Sequence, residues 1–584
     1  MNHSKSSRAG ARQPAPRRDN GLEVHQRSGV NHRIGRLSVM LFLASIALWA
    51  CGVSLTGGGN EPPGNALVLR WVYSTSVADW ANASAADFNN RGITASDGRP
   101  IWIEAVAVDA GQAVSDMIGG AALPDLWTTA DTNWRDVLHE AADSEVFLSN
   151  CVSVAQSPLV IAMWEPVARA LGWPSRTLGW LDVASLAADP SGWAYYSGGA
   201  WGETLRLGHA HPGLSDSGVQ TLLALVYAAE SSRTGITADD VENPIVQASV
   251  GAFESAVSWF SPDTAQLADT LLTRGLTFLN AAVMYENEVV MQGERAPRLV
   301  AIYPFEGTFM ATYPTCVRAG MDEAATGAAE TVLAYMLDTP AQERALSFGL
   351  RPASATVPVG APIDAAHGAD PVQPAVIFSS SEAAVVFAIQ DLWQSQRKNV
   401  NLAMVLDVSG SMEGDKIIQV RESAIAFVEQ MGDNDRITVI VFADRPQILV
   451  ANTQVGGNRQ AIIAQINTIT AGGGTSLFDT IAFSAEELQR SKRTDDINAM
   501  VVLTDGQDTV SQRFTSATQQ FSELIIYSGV SVYTIAYGED ADQATMQNIA
   551  LATNGIFFEG DVSTIGDIYA AISAAFGGSL GIGR

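Results

Sequence analysis

Two apolar runs in the last third of the chain each lead directly into an aspartate. Leu402–Leu406 precede Asp407, and Met500–Thr504 precede Asp505, which is followed by Gly506. A continuously apolar strand is typical of a parallel sheet that is covered by helices on both faces. The carboxyl ends of parallel strands meet at one edge of such a sheet, and ligands bind at that edge in open α/β folds. The sequence therefore predicts an α/β unit with both carboxylates at one ligand-binding edge.

Hydroxyl groups accompany the two carboxylates. The segment Asp407-Val408-Ser409-Gly410-Ser411 places a carboxylate and two hydroxyls at a spacing of two, and a glycine-rich loop, Gly472-Gly473-Gly474, ends in Thr475. Hard cations such as Mg²⁺ choose oxygen ligands. Taken alone, the first segment also fits a simple helix cap. The combined pattern predicts a single divalent cation, Mg²⁺ before Mn²⁺ or Ca²⁺, held by Asp407, Ser409, Ser411, Thr475 and Asp505.

The three pieces in this order resemble the metal-ion-dependent adhesion site of von Willebrand factor A (VWA) domains, from Asn399 to about Phe576. The resemblance implies a doubly wound, Rossmann-like domain in which Ser409, Ser411 and Thr475 coordinate directly, while the two aspartates act largely through water. Neutral hydroxyls leave the charge of the cation poorly neutralised. The resemblance therefore implies that a carboxylate from a partner protein completes the site.

The region before this domain is a second α/β unit, because strands alternate with helices from Ala66 onward. A chain of 584 residues is also too long for one hydrophobic core. Residues 66–355 resemble the extracellular solute-binding proteins of ABC importers, which implies two lobes around a cleft, with crossings near Gln156 and Glu306. The motifs that carry the resemblance are Ser157-Pro158-Leu159-Val160-Ile161, Asp216-Ser217-Gly218, Tyr303-Pro304-x-x-Gly307-Thr308 and Gly349-Leu350-Arg351-Pro352.

Hydroxyl-bearing residues at strand ends and at one helix start are the candidates for the solute cleft. We predict that the ligand contacts Ser74, Thr75, Thr128, Ser215 and Ser217. Free amides at the helix start that follows Ser215 favour an anion. The alternative is that Ser215 is an ordinary N-cap. The sequence does not assign a specific solute.

The N-terminal sequence indicates export. Residues 1–36 are basic and predict a disordered tail, and residues 37–55 are uncharged and predict a signal, lipoprotein or membrane-anchor segment. The residues before Cys51 resemble a lipobox, which implies lipidation of this cysteine; an uncleaved transmembrane anchor is the alternative. Both alternatives predict an extracytoplasmic protein anchored to the cell membrane.

Only three cysteines are present, so a disulfide framework does not support the fold. If Cys51 is lipidated, Cys151 and Cys316 remain, and they either pair in an oxidising compartment or stay separate as buried thiols.

After Arg351, Pro, Gly and Ala become frequent. This composition predicts a linker with an amphipathic helix over residues 356–398, followed by the VWA domain over residues 399–584.

Charge and motif content exclude several functions. A net charge of −28 repels nucleic acids. Histidine is absent from residues 399–584, so a Ser/His/Asp arrangement is not available there, and the chain has no G-K-[ST] phosphate loop. We therefore predict a binding protein rather than an enzyme. The first hypothesis is an anchored protein whose cation grips an acidic partner; the alternative is the receptor of an ABC importer with an accessory VWA domain.

Overall fold

The computed structural model describes residues 61–493 and 495–578. The predicted tail at residues 1–36, the predicted signal or anchor segment at residues 37–55, and Cys51 lie outside these ranges. Within them, no helix combines the length and apolar character needed to cross a bilayer.

The strands of the described chain fall into three sheets. In chain order they are β1 (Leu67–Tyr73), β2 (Ile101–Ala107), β3 (Leu126–Thr128), β4 (Val152–Ser153), β5 (Ala155–Trp164), β6 (Leu207–Ala210), β7 (Val257–Ser261), β8 (Ala281–Tyr285), β9 (Leu299–Ile302), β10 (Met310–Ala311), β11 (Pro314–Val317), β12 (Arg351–Pro352), β13 (Val400–Asp407), β14 (Arg436–Phe442), β15 (Pro446–Gln454), β16 (Ile497–Thr504), β17 (Ser531–Tyr537) and β18 (Phe557–Gly560).

Helices alternate with these strands throughout the described chain. In chain order they are α1 (Ala78–Asn90), α2 (Ala110–Ile118), α3 (Asn133–Ala142), α4 (Glu165–Ala170), α5 (Trp180–Ala188), α6 (Pro190–Ser197), α7 (Asp216–Ala229), α8 (Ala238–Val241), α9 (Pro244–Glu254), α10 (Thr264–Arg274), α11 (Glu286–Val290), α12 (Glu323–Met336), α13 (Thr339–Ser347), α14 (Ala383–Gln396), α15 (Asp415–Gln430), α16 (Arg459–Ile466), α17 (Leu477–Ser491), α18 (Gln519–Ser528), α19 (Gln543–Ala552) and α20 (Ile565–Ala575).

The first two sheets form the two lobes of the N-terminal half. The first lobe has the strand order β2-β1-β3-β11-β4, and the second has β10-β5-β8-β6-β7 with β9 and β12 paired to β5. The chain passes between the lobes at Val154, near Thr312, and again between α13 and β12. The first passage is within two residues of the predicted crossing at Gln156. The second lies beyond Glu306 because β10 still pairs with β5 of the second lobe.

A disulfide between Cys151 and Cys316 joins the start of β4 to β11 within the first lobe, with the sulfur atoms 2.01 Å apart. Both cysteines lie on the antiparallel side of the sheet, where β11 pairs with β3 and β4.

The third sheet has the order β15-β14-β13-β16-β17-β18, and only the edge strand β15 runs antiparallel to its neighbour. All eight residues of β13 are buried, including the apolar run Leu402–Leu406, as expected for a strand covered on both faces. The chain begins at the centre, builds outward through β14, and returns to the other side of β13 with β16. The strand order therefore reverses between β13 and β16, where a doubly wound sheet opens a crevice. The predicted α/β fold class is confirmed.

The predicted linker lies against the second lobe. The amide of Thr308 donates to the carbonyl of Val376, and the amide of Phe378 donates back to Thr308. Phe378 also stacks on Tyr227, with ring centroids 4.7 Å apart. Helix α14 then packs against α3 of the first lobe as well as α7, α8 and α9 of the second. These contacts make the 356–398 segment an ordered connection.

The junction between the two halves is largely aromatic. Trp393 of α14 packs edge-on against Phe260 of the second lobe at 5.2 Å, and Trp259 stacks on Tyr533 of the C-terminal sheet at 6.0 Å. The ring of His211 lies 4.6 Å from that of Trp393. The C-terminal domain therefore packs directly on the second lobe.

Candidate metal centre and solute cleft

The carboxylate of Asp407 lies at the carboxyl end of β13 and is fully buried. Its Oδ1 accepts a hydrogen bond from the amide of Ser409 at 2.8 Å, and its Oδ2 accepts one from the Thr504 hydroxyl at 2.6 Å. Burial raises the pKa of Asp407, while the hydrogen bonds from Thr504 and Ser409 oppose that rise. The carboxylate therefore fixes the start of the serine-containing turn to the neighbouring strand β16.

Ser409, Ser411 and Asp505 form a continuous set of oxygen atoms at the reversal point. The hydroxyl oxygens of Ser409 and Ser411 lie 3.1 Å apart, and the Ser411 hydroxyl donates to Asp505 Oδ1 at 2.7 Å. Asp505 follows β16 directly and is buried. The side chains from the ends of two adjacent strands thus meet, as the sequence predicts.

The glycine-rich loop closes the third side of the site. The amide of Gly410 donates to the carbonyl of Gly473 at 3.0 Å, and the amide of Gly472 donates to Val408 at 2.7 Å. Gly473 has a φ of 94°, a left-handed conformation that favours glycine. These bonds bring Thr475 toward the serine-containing turn.

Gly506 lies close to the hydroxyl groups of both Thr475 and Ser411. A Cβ atom placed on Gly506 would lie 3.9 Å from the Oγ of Ser411 and 3.9 Å from the Oγ1 of Thr475. Thr475 is held by mutual hydrogen bonds with Thr509, since the Thr475 amide donates to the Thr509 hydroxyl at 2.8 Å. All five predicted residues therefore border one small region of the sheet edge.

This region opens to solvent. Ser411, Gly410 and Gly472 are exposed, whereas Ser409 and Thr475 are buried. The described part of the chain contains no group of three or more His, Cys, Asp or Glu side chains that could hold a metal ion. A cation at this edge would therefore depend on the serine and threonine hydroxyls, which are hard oxygen donors suited to Mg²⁺.

Lys416 is the residue of this site that the sequence analysis missed. It lies in the first turn of α15, and its ammonium is 2.5 Å from Asp505 Oδ2. Asp505 thus presents Oδ1 to Ser411 while Oδ2 is neutralised by an ammonium. The sequence position of Lys416 did not predict its ion pair with Asp505, because lysines on helices usually extend into solvent.

Four of the predicted cleft residues lie in two polar groups. Ser74 and Thr75 both donate to Asp109 Oδ1, through hydroxyls at 3.1 and 2.8 Å and through the Thr75 amide at 2.9 Å. The hydroxyls of Ser215 and Ser217 lie 3.4 and 2.6 Å from that of Thr264. Ser215 occupies the N-cap position of α7, but its side chain makes no capping bond.

Thr128 is engaged elsewhere. Its hydroxyl accepts a hydrogen bond from the Trp71 indole at 2.7 Å and contacts the Thr315 hydroxyl at 2.7 Å, both within the first-lobe sheet. The side chain is fully buried. The side chain of Thr128 therefore joins neighbouring strands. Its backbone adjoins the candidate Ser74, whose amide donates to the Thr128 carbonyl at 3.0 Å.

The sequence analysis also missed a set of carboxylates around these hydroxyls. The set comprises Asp109, Asp131, Asp216, Asp263 and Glu288. Burial is the largest cause of a raised pKa in each case, and it raises the pKa of Asp263 to about 6 and that of Glu288 to about 8. A buried carboxylate at the start of α7 disfavours the anion that the free helix amides predict.

Family models match both halves of the chain. A model described as von Willebrand factor type A domain matches residues 401–571, and one described as bacterial extracellular solute-binding protein matches residues 69–351. An uncharacterized protein of Synechocystis sp. is 28% identical over 27% of this chain and 37% of its own length. Inter-alpha-trypsin inhibitor heavy chain H4 of Sus scrofa is 28% identical over 28% of this chain and 18% of its own length.

Solved structures resemble each half separately. A von Willebrand factor type A structure from Catenulispora acidiphila has 19% identity and a TM-score of 0.28, covering 30% of this chain and 42% of that chain. A periplasmic thiamin binding protein has 12% identity and a TM-score of 0.39, covering 58% of this chain and 98% of that chain. The chain thus joins a domain of the bacterial extracellular solute-binding family to a von Willebrand factor type A domain.

Proposed function

We propose that the VWA domain binds one divalent cation, Mg²⁺ before Mn²⁺ or Ca²⁺, and through it an acidic group of a partner protein. The solute-binding domain captures a small ligand between its lobes. The observation that carries the proposal is the convergence of three hydroxyls and two carboxylates at a solvent-exposed sheet edge. The role is binding, and no bond-breaking step is assigned to the site.

The contacts of the two aspartates support a division of roles. Both oxygens of Asp407 already accept hydrogen bonds, and one oxygen of Asp505 is paired with Lys416. Ser409, Ser411 and Thr475 would therefore bind the cation directly, while the aspartates orient these hydroxyls or act through water. Such a site leaves much of the cation's charge unneutralised, which favours an incoming carboxylate.

The test of this function is the effect of Thr475→Ala on the full chain. We expect Mg²⁺ affinity, measured by calorimetric titration, to fall about 10–100-fold, as when one group supporting a metal site is removed. Capture of the protein on a carboxylate-bearing surface in Mg²⁺ should fall with it. Thr470→Ala is the matched control, since Thr470 is exposed and lies just before the same glycine-rich loop.

Two results would contradict the proposal. The first is Mg²⁺ affinity that is equal in the Thr475→Ala and Thr470→Ala variants. The second is surface capture that persists in EDTA. An unchanged melting temperature of Thr475→Ala without added cation would show that lost binding is not lost folding.

Lys416→Met is expected to strengthen cation binding. The ammonium competes electrostatically with a divalent cation for Asp505, so its removal leaves a full carboxylate charge at the site. We expect Mg²⁺ affinity to rise several-fold and carboxylate capture to weaken, because the bound cation is then better neutralised. Arg421→Met, on the same helix, is the matched loss of charge; equal effects of the two variants would contradict the assigned role of Lys416.

Anchoring completes the proposed function. The solute-binding match is to an extracellular family, which supports an extracytoplasmic location. Residues 37–55 would tether the protein to the cell membrane, through a lipid on Cys51 or through an uncleaved span. The tether would hold both binding domains at the outer surface of the membrane.

A further inference from the structure

The five cleft carboxylates come from both lobes. Asp109 precedes α2 and Asp131 follows β3, so both belong to the first lobe. Asp216 opens α7, Asp263 precedes α10 and Glu288 lies in α11, so these three belong to the second. The lobes contact each other here directly: the Gln220 amide group donates to Asp131 Oδ2 at 2.7 Å. The carboxylates therefore gather where the two lobes meet.

Asp216 is the least satisfied member of the set. It is 2% exposed, and neither of its carboxylate oxygens makes a hydrogen bond of full geometry within the described chain, since the nearby amides of Ala130 and of Asp216 itself only partly offset its burial. Among the described residues, the second carboxylate oxygen of Asp109 is also buried without a hydrogen bond of full geometry, although the Ser215 hydroxyl lies close enough to oppose the rise that burial causes in the pKa of this carboxyl. Buried polar groups in proteins are rarely left in this state, and carboxylates least of all. Two incompletely satisfied carboxylates from opposite lobes point to a missing hydrogen-bond donor between them.

The surroundings of the set are acidic. The neighbouring charges that act on Asp216 are Asp131 and Asp109, and those that act on Glu288 are Asp263, Asp79 and Asp109. In the described chain, none of the five carboxylates forms an ion pair with Lys, Arg or His. The described residues thus bring several carboxylates within electrostatic range of one another and pair none of them with a cationic side chain.

We propose that the cleft binds a small organic ligand with more than one ammonium group, a di- or polyamine, whose charges are matched by Asp216, Asp109 and their acidic neighbours. This inference rests on the proposed capture of a small ligand between the lobes and names its chemical class. Several carboxylates spread over five segments fit a ligand with spaced positive charges. An ammonium group would donate hydrogen bonds to the carboxylate oxygens that now lack a donor.

The cleft carries further groups that suit an amine. The hydroxyls of Ser215, Ser217 and Thr264 and the phenol of Tyr285 supply neutral acceptors next to the acids. A metal ion is less suited, because no three carboxylates of the described chain are placed to hold one. Asp131, Asp263 and Glu288 retain partial exposure, so the cluster is reached from solvent at its margin.

The experiment is calorimetric titration of the full chain at pH 7.5 with 1,4-diaminobutane and with spermidine. Inorganic phosphate and Ca²⁺ are titrated in parallel. We expect amine binding to release protons, detected as a binding enthalpy that changes with the buffer, because a bound cation lowers the raised pKa of neighbouring carboxyl groups. Asp216→Asn should weaken amine binding at least tenfold. It should not impair folding, since it removes a buried charge, and its melting temperature checks this.

Asp116→Asn is the matched control, because Asp116 lies on α2 outside the cluster and is exposed. Equal amine affinity in Asp216→Asn and Asp116→Asn would overturn the proposal, as would binding of neither amine. Ca²⁺ binding that Asp216→Asn abolishes and Asp407→Ala leaves intact would replace the amine by a metal cation. Phosphate binding without amine binding would overturn the proposed ligand class but not the capture of a small ligand between the lobes. Failure of Thr475→Ala to alter Mg²⁺ affinity would overturn the proposed function of the VWA domain but not amine binding in the cleft.

Discussion

Replacing Arg397 by methionine is expected to lower the unfolding free energy of the C-terminal domain by about 3–5 kcal/mol, the usual effect of removing one partner of a buried ion pair. Arg397 follows α14, and its guanidinium donates to both oxygens of Asp435 at 3.2 and 2.8 Å. The two side chains are only 3% and 2% exposed. The substitution would leave the Asp435 charge buried with two amide donors, from Val400 and Gly432.

The position of this pair explains its importance. Asp435 lies just before β14 and holds the first amide of β13, so the pair fixes the start of the central strand to the helix that leaves the solute-binding domain. Chemical denaturation of the full chain, followed by tryptophan fluorescence, measures the change. Arg490→Met is the control, because the Arg490 side chain, which pairs with Glu487, is 63% exposed. Such a pair should contribute less than about 1 kcal/mol to the unfolding free energy. A loss below that value for Arg397→Met would contradict the prediction.

The convergence of the candidate metal-site residues was predictable because each of their sequence signals is local. Asp407 and Asp505 each follow an apolar run, and the topology of a doubly wound sheet places adjacent strand ends together. Lys416 was not predictable, since its contact with Asp505 depends on how α15 lies over the end of β16. No sequence period encodes that placement. The general position of the site therefore follows from the sequence, whereas the neutralisation of Asp505 by Lys416 is seen only in the folded structure.

The acidic cleft shows the opposite situation. Asp109, Asp216 and Asp263 each lie at a helix start, where aspartate is common for capping and for its interaction with the helix dipole. Taken one at a time, they indicate only helix boundaries. Their meaning arises from the contact between lobes, which joins residues far apart in sequence. The predicted hydroxyls Ser74 and Thr75 contact a carboxylate, that of Asp109, which the sequence analysis did not single out. In the proposal above, this carboxylate helps to set the charge of the ligand.

Acidification is expected to weaken the junction between the domains through His211. This ring is 1% exposed, its Nδ1 accepts the amide of Gly213 at 3.0 Å, and its Nε2 lies 2.7 Å from the carbonyl of Gly578. The neutral ring, with its proton on Nε2, satisfies both contacts. Burial lowers the pKa of His211 to about 3; the contact with the Gly578 carbonyl opposes this effect and the charge of Arg397 adds to it. A second proton would have to replace the bond from Gly213.

The sign follows from the two protonation states. The unfolded chain binds a proton near pH 6.5 and the folded chain does so only near pH 3, so the contribution of His211 is complete above pH 6.5 and is lost as the pH falls. Between pH 6.5 and 4.5 the loss should be about 2–3 kcal/mol. The cleft acids shift stability in the other direction over part of this range, because their raised pKa values favour protonation in the folded state.

The contribution of His211 is isolated by comparing the same pH interval in wild type and in His211→Gln, since the cleft acids contribute equally to both. We expect the wild-type unfolding free energy to fall by about 2–3 kcal/mol more than that of the variant between pH 6.5 and 4.5. His367→Gln serves as control, because the His367 side chain is 47% exposed and the loss of its solvent-screened ion pair with Asp364 should change the unfolding free energy by less than about 1 kcal/mol. Parallel pH profiles for wild type and His211→Gln would show that the junction does not depend on a neutral His211.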